Sequence, residues 1–160
     1  MLNYYNKMLD YQRKNKISSE CLMNSIFYFD LLDQIHPDTC KVVCGLLVIK
    51  NSDITLTYKG TKNHLTKADT GLVAHVWIVS KNKVIECSSE FLDLPSENKE
   101  YLSYKEYTKI YGLNKFSKDL LTNICLLNVQ VAKCIRLPNA QNEYYKDLRR
   151  FVSEDYRQIS

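Results

Sequence analysis

Along the chain, apolar residues fall first at helical spacing, then in strand-like alternation, then at helical spacing again. Leu2, Tyr5, Met8 and Leu9 share one face of a helix predicted over residues 2–13. After the polar break KNKISSE, Ser18 or Ser19 is placed to cap a second helix running to about Gln34. That helix, CLMNSIFYFDLLDQ, is apolar almost all round apart from Asn24, Ser25 and Asp30, the pattern of a helix buried on most sides. KVVCGLLVIK (41–50) reads as an interior strand, and ITLTYK (54–59) as an alternating neighbour joined to it across Asn51-Ser52-Asp53. GTKNHLTKADTG (60–71) is a polar surface loop with Gly at both ends, and its His64 reads as a solvated side chain. LVAHVWIVS (72–80) and KVIECSS (83–89) predict two strands joined across Lys81-Asn82. SYKEYTKIYG (103–112) predicts a short helix stopped at Gly112, and FSKDLLTNICLL (116–127) another, capped by Ser117. Val129, Val131, Ile135 and Leu137 lie at period two, which predicts a strand over 128–137 ended by Pro138. Tyr145, Leu148, Val152 and Tyr156 share one face of a closing helix that starts near Ala140. No repeat or linker interrupts the series. It predicts a single α+β domain over 1–160, with a buried N-terminal helix packed on a mostly antiparallel sheet.

Composition narrows the function classes. At 160 residues a chain buries about 68–70% of its unfolded surface, enough for a core without disulfides or metal. Four Gly, three Pro and a net charge of +4 argue against disorder. No apolar run reaches 18 residues, so no membrane span is predicted, and MLNYYNKMLDYQRKNK has no apolar stretch of a secretory signal. The basic side chains are 17 Lys against 5 Arg, a poor set for bidentate phosphate or base recognition, so no nucleic-acid partner is expected. Cysteines at 21, 40, 44, 87, 125 and 134 read as reduced thiols, mostly core residues, in a cytoplasmic protein. His36, Cys40 and Cys44 are spaced for one face of a helix. Pro37 and the β-branched run after it favour a turn into a strand, and no CxxC pair is present, so neither metal nor cofactor is expected.

Cys21 differs from the other five. It lies in the first turn of the most buried helix, where unpaired N–H groups and the helix dipole favour a thiolate, the form that attacks carbonyl carbon. His75 lies on a strand face with Val73, Trp77 and Val79, a position where each ring nitrogen needs a partner. An even hairpin across Lys81-Asn82 sets Trp77 opposite Glu86 and His75 opposite Ser88. Glu86 is then one diagonal step from His75, about 7–8 Å away on the same face. A carboxylate there can bond Nδ1 of His75, fix its tautomer and stabilise the imidazolium.

A Cys opening a buried helix (ECLMNS), a later strand with His and Trp (AHVWIV), and an acid on the next strand (VIECSSE) together resemble the transglutaminase-like branch of the papain-like thiol enzymes. That branch includes bacterial leader peptidases of lasso-peptide pathways. Its chain order is Cys, His, Asp, with the acid about ten residues past the His; Cys21, His75 and Glu86 follow that order with a last spacing of 11. The likeness covers about residues 18–90. Glu stands here for the usual Asp, and Leu22 where Trp often follows the Cys. The resemblance implies a papain-like core and a Cys-His-Glu triad that forms a thioester from a peptide or protein substrate. It also implies an oxyanion donor upstream of the Cys, for which Gln12 and Asn15 are the candidates, beside the backbone N–H of Cys21. Hydrolysis, deamidation and transamidation would share these residues. The alternative is a catalytically silent protein-binding module on the same fold, using its tyrosines and Trp77 for recognition.

Overall fold

In a computed structural model the described residues are 2–49, 71–94, 96–103, 105–106, 109, 118–136 and 139–159. They form an α+β fold. Helices α1 (Leu2–Lys14) and α2 (Cys21–Ile35) precede strands β1 (Cys40–Ile49), β2 (Gly71–Ser80) and β3 (Lys83–Ile85). The short helix α3 (Ser89–Leu92), strand β4 (Lys99–Leu102) and helices α4 (Lys118–Arg136) and α5 (Glu143–Ile159) complete it. The sheet runs β3-β2-β1-β4 and every pairing is antiparallel. The expected strand at 54–59, its connection at 51–53, most of the 60–71 loop and the Ser117 cap lie outside the described residues, as does most of the 103–112 helix.

The ladder between β1 and β2 sorts side chains onto two faces. Gly45 pairs with His75, Val43 with Trp77 and Leu47 with Val73; Cys44 pairs with Val76, Leu46 with Ala74 and Val42 with Ile78. The second set faces the larger core. There Met8 and Leu9 of α1, Ile26 and Phe27 of α2, and Leu148 and Val152 of α5 close over Ile78, while Ile124 of α4 packs on Leu46, Val48 and Ala74. The first set, with His75, is covered by Phe91 of α3 and Tyr101 of β4. Asn142 starts α5 by accepting the Tyr145 N–H at 2.9 Å.

Two expected strands are corrected. Residues 128–136 are not a strand: 118–136 is one continuous helix, and residue 137 lies outside the described residues. Its buried or half-buried apolar side chains, among those described, are Ile124, Leu127, Val131 and Cys134, at helical spacing, whereas Val129 of the period-two set is 67% exposed. The strand expected over 83–89 stops at Ile85. Beyond it the backbone groups are taken by α1: Tyr5 Oη donates to the Glu86 carbonyl (2.6 Å), Gln12 Nε2 to the Cys87 carbonyl (2.7 Å), and the Ser89 N–H donates to Gln12 Oε1 (2.8 Å).

Candidate active site

Cys21 is the first residue of α2, as its place after a polar break predicts, but neither serine caps the helix. Glu20 occupies the cap position without a side-chain hydrogen bond, while Ser19 adopts a left-handed φ of 64° and donates its N–H to Glu90 Oε1 at 3.3 Å. The first intrahelical bond runs from Asn24 N to the Glu20 carbonyl (2.9 Å), so Cys21 sits in the turn whose amides have no intrahelical acceptor. Its side chain, 3% exposed, packs with Val76 and Val131.

β2 and β3 are joined by the two-residue turn Lys81-Asn82, both at positive φ (50° and 62°), as in a type I′ hairpin. The pairs are Ile78–Ile85, Val79–Val84 and Ser80–Lys83, the even register expected from the sequence. Pairing ends one residue short of Trp77–Glu86, and the freed Glu86 side chain turns to His75. Nε2 of His75 lies 2.8 Å from Glu86 Oε1 and 2.9 Å from Oε2. The carboxylate therefore holds Nε2 and not Nδ1 as expected, because the chain swings away from the sheet after Ile85. Nδ1 has no hydrogen bond of full geometry among the described residues. Cys21 is close enough to the ring to help raise its pKa, through a hydrogen bond and through its charge.

Electrostatics favour the ion pair. Burial disfavours the imidazolium, but the charge of Glu86 and the bonds to Cys21 and Glu86 outweigh it and push the pKa of His75 up to about 10. Burial would likewise raise the pKa of Glu86, yet His75, Tyr101 and the Ser88 N–H (3.2 Å to Oε2) hold it below the ordinary glutamate value. Two of the other thiols are suppressed. Burial, with the nearby Cys21 and Cys125, pushes Cys44 up to about 12, and burial beside Glu86 raises Cys87 well above an ordinary thiol.

The two upstream amides are occupied otherwise. Gln12 is buried and braces the 87–89 segment with both ends of its side chain, while Asn15 donates to the Tyr11 carbonyl of its own helix (2.9 Å). Cys40 and Cys44 lie on β1 and His36 caps the end of α2, so the three do not share a helix face. Among the described residues no group of His, Cys, Asp and Glu is arranged to hold a metal ion. The sequence reading placed Trp77 on the face of His75 but missed the rest of the shell around the pair. Phe91 meets the imidazole edge-on at 4.6 Å, Trp77 lies roughly parallel to it at 6.1 Å, and Tyr101 bonds Glu86. A short alternation in Lys99-Glu100-Tyr101-Leu102 was the one local signal for β4, and nothing in it points to Glu86.

Fold and site define an α+β protein with a buried cysteine–histidine–glutamate cluster at the mouth of its central helix. The chain matches no family model, no curated protein and no solved structure.

Proposed function

We propose that the chain is a thiol hydrolase or acyl transferase of the papain-like, transglutaminase-like kind, acting on an amide or peptide bond through Cys21, His75 and Glu86. The observation that carries this reading is the buried His75–Glu86 pair, with Nε2 2.8 Å from Oε1, beside a Cys21 thiol near enough to help raise the pKa of the ring. With Nε2–H donated to Glu86, Nδ1 takes the Cys21 proton, forming the imidazolium that the raised pKa of His75 favours. Sulfur then bonds to the carbonyl carbon, and Nδ1–H gives its proton to the amine as the C–N bond breaks. Water or a second amine next attacks the thioester, and the sulfur regains its proton. The N–H groups opening α2 are suitable donors to the oxyanion, a role for which Gln12 and Asn15 are otherwise engaged.

Burial favours one second reading, a binding module in which the cluster is a core element. Cys21 is 3% exposed and His75 wholly buried, so a substrate must displace part of the shell to reach the sulfur. Iodoacetamide at about pH 6 separates the two, since an ordinary thiol is then only about 0.3% ionised. One rapidly labelled site, lost in Cys21→Ala, is the result expected of the enzyme. Labelling no faster than that of a free thiol model sinks the enzyme reading in favour of the module.

A further inference from the structure

Both oxygens of Glu86 carry two contacts. Oε1 accepts from His75 Nε2 (2.8 Å) and from Tyr101 Oη (2.7 Å); Oε2 faces Nε2 at 2.9 Å and accepts the Ser88 N–H at 3.2 Å. Of these donors Tyr101 alone comes from β4, at the opposite edge of the sheet from β3. Its place is set by pairing with Leu47 of β1 and by an edge-on contact with Trp77, ring centroids 5.2 Å apart. Lys99 ties the same strand to α3 by donating to the Phe91 carbonyl at 2.8 Å.

We propose that Tyr101 is a positioning residue of the thiol site: its hydroxyl holds Glu86 as the ionised, correctly turned acceptor for His75, so the competence of Cys21 depends on β4 being docked. The proposal rests on the thiol-enzyme reading of the cluster. A glutamate has one more rotatable bond than an aspartate and a carboxylate that turns easily about its last torsion. Donors on both oxygens, from separate elements, remove that freedom. A buried carboxylate also needs such donors to stay ionised, and a phenol supplies one without adding a competing charge. Burial and Glu86 raise the pKa of Tyr101 itself, so it remains a donor wherever the enzyme would work.

The other ionisable groups around Glu86 are Cys21, His75, Tyr5 of α1, its neighbour Cys87, Glu90 of α3 and Lys99 of β4. Tyr101→Phe leaves them in place and fills the same space, so the test isolates one hydroxyl. In the full chain, Cys21 alkylation by iodoacetamide is followed from about pH 4 to 8, and the ring signals of His75 are titrated over the acid range. Loss of one charge-assisted bond should move the acid limb of both profiles up by about 0.5–1.5 pH units and slow alkylation near pH 5 about 3- to 30-fold. The rate near pH 8 should stay within about twofold, since the carboxylate is ionised there in either protein. Tyr5→Phe is the control. It also removes a bond to Glu86, but to the backbone carbonyl, and should lower the urea midpoint without moving the acid limb. An unmoved limb in Tyr101→Phe, or an equal shift in Tyr5→Phe, overturns the proposal. A wild-type Cys21 that labels slowly at about pH 6 instead sinks the enzyme reading. The His75 titration then still decides whether Tyr101 holds the acid, an unmoved midpoint overturning that too.

Discussion

At Glu86, what matters is that a carboxylate has only acceptors to offer. Nε2 of His75, Oη of Tyr101 and the backbone N–H of Ser88 all point at its two oxygens. In Glu86→Gln one of those oxygens becomes an NH₂ group. The Ser88 N–H cannot reverse its role, so the amide oxygen must stay with it and the NH₂ must face Tyr101 and His75. The phenol can turn to accept. The imidazole can keep donating Nε2–H to the amide oxygen, whose position lies 2.9 Å away, but no charge then stabilises the imidazolium. If it accepts from the NH₂ instead, the remaining proton sits on Nδ1 and removes the base next to Cys21. Loss of the orienting acid in a serine triad costs about 10⁴, and a thiol depends on its base less, so alkylation at about pH 6 should slow about 10- to 10³-fold. Glu86→Asp keeps the charge and should be milder if the ring follows the shorter side chain. Unchanged alkylation in Glu86→Gln would mean that Glu86 does not govern the thiol.

The hairpin of β2 and β3 is the element that made Glu86 legible from sequence, because a two-residue loop between alternating runs leaves one register that keeps each apolar set together. The same reading put too much strand after it, since alternation cannot show that Tyr5 and Gln12, far earlier in the chain, capture the backbone at 86–89. It also took 128–137 for a strand because Val129 and Ile135 are apolar; both are exposed, and the buried spacing of Ile124, Leu127 and Val131 was hidden among them. Tyr101 was out of reach, as a contact made across the sheet from a four-residue strand leaves no local pattern. The turn yields a prediction. Lys81 and Asn82 are both left-handed, which Asn-Gly adopts with less strain, so Lys81→Asn with Asn82→Gly should raise stability by about 0.5–1.5 kcal/mol in urea melts. No gain would argue against the I′ turn and the register that depends on it. Gly45 has the opposite sensitivity. A Cβ there would lie 2.5 Å from the Leu102 carbonyl oxygen and 2.7 Å from Cη2 of Trp77. Gly45→Ala must push β4 or the indole aside, and should cost about 1–3 kcal/mol and slow Cys21 alkylation through Tyr101. Wild-type stability in that variant would contradict the close approach of β4 to β1.

Five elements meet at the His75–Glu86 pair: β2 supplies the ring, α2 the thiol, β4 the phenol, α3 the Phe91 cover, and α1 the brace under the acid. Its ionisation should therefore register in the stability of the whole fold. His75 titrates higher folded, about 10, than its ordinary 6.5, so its contribution is complete below about pH 6.5 and is lost as pH rises towards 10. Glu86 titrates below its ordinary 4.5, so its contribution is complete above about that pH and is lost as pH falls through the lower folded value. The pair is thus at full strength between about pH 4.5 and 6.5. On the acid side its loss is partly offset, because burial raises Glu20, Asp30 and Glu90, and protonating such groups favours the folded state. On the alkaline side, among the described residues, only Lys99 opposes it, its pKa lowered by burial. Cys44, held up to about 12, adds to the decline, since the unfolded chain can ionise that thiol near its ordinary 9.0 while the folded one cannot. Urea midpoints should accordingly fall steadily from about pH 6.5 to 9.5. Glu86→Gln, which has no ion pair to lose, should fall less, so the gap between it and wild type should narrow as pH rises. A wild-type midpoint that is flat or rising over that range would show that His75 is already neutral in the folded protein near pH 6.5. Glu86 would then be the acceptor of a neutral imidazole N–H, and the fold would hold no imidazolium to stabilise a thiolate at Cys21.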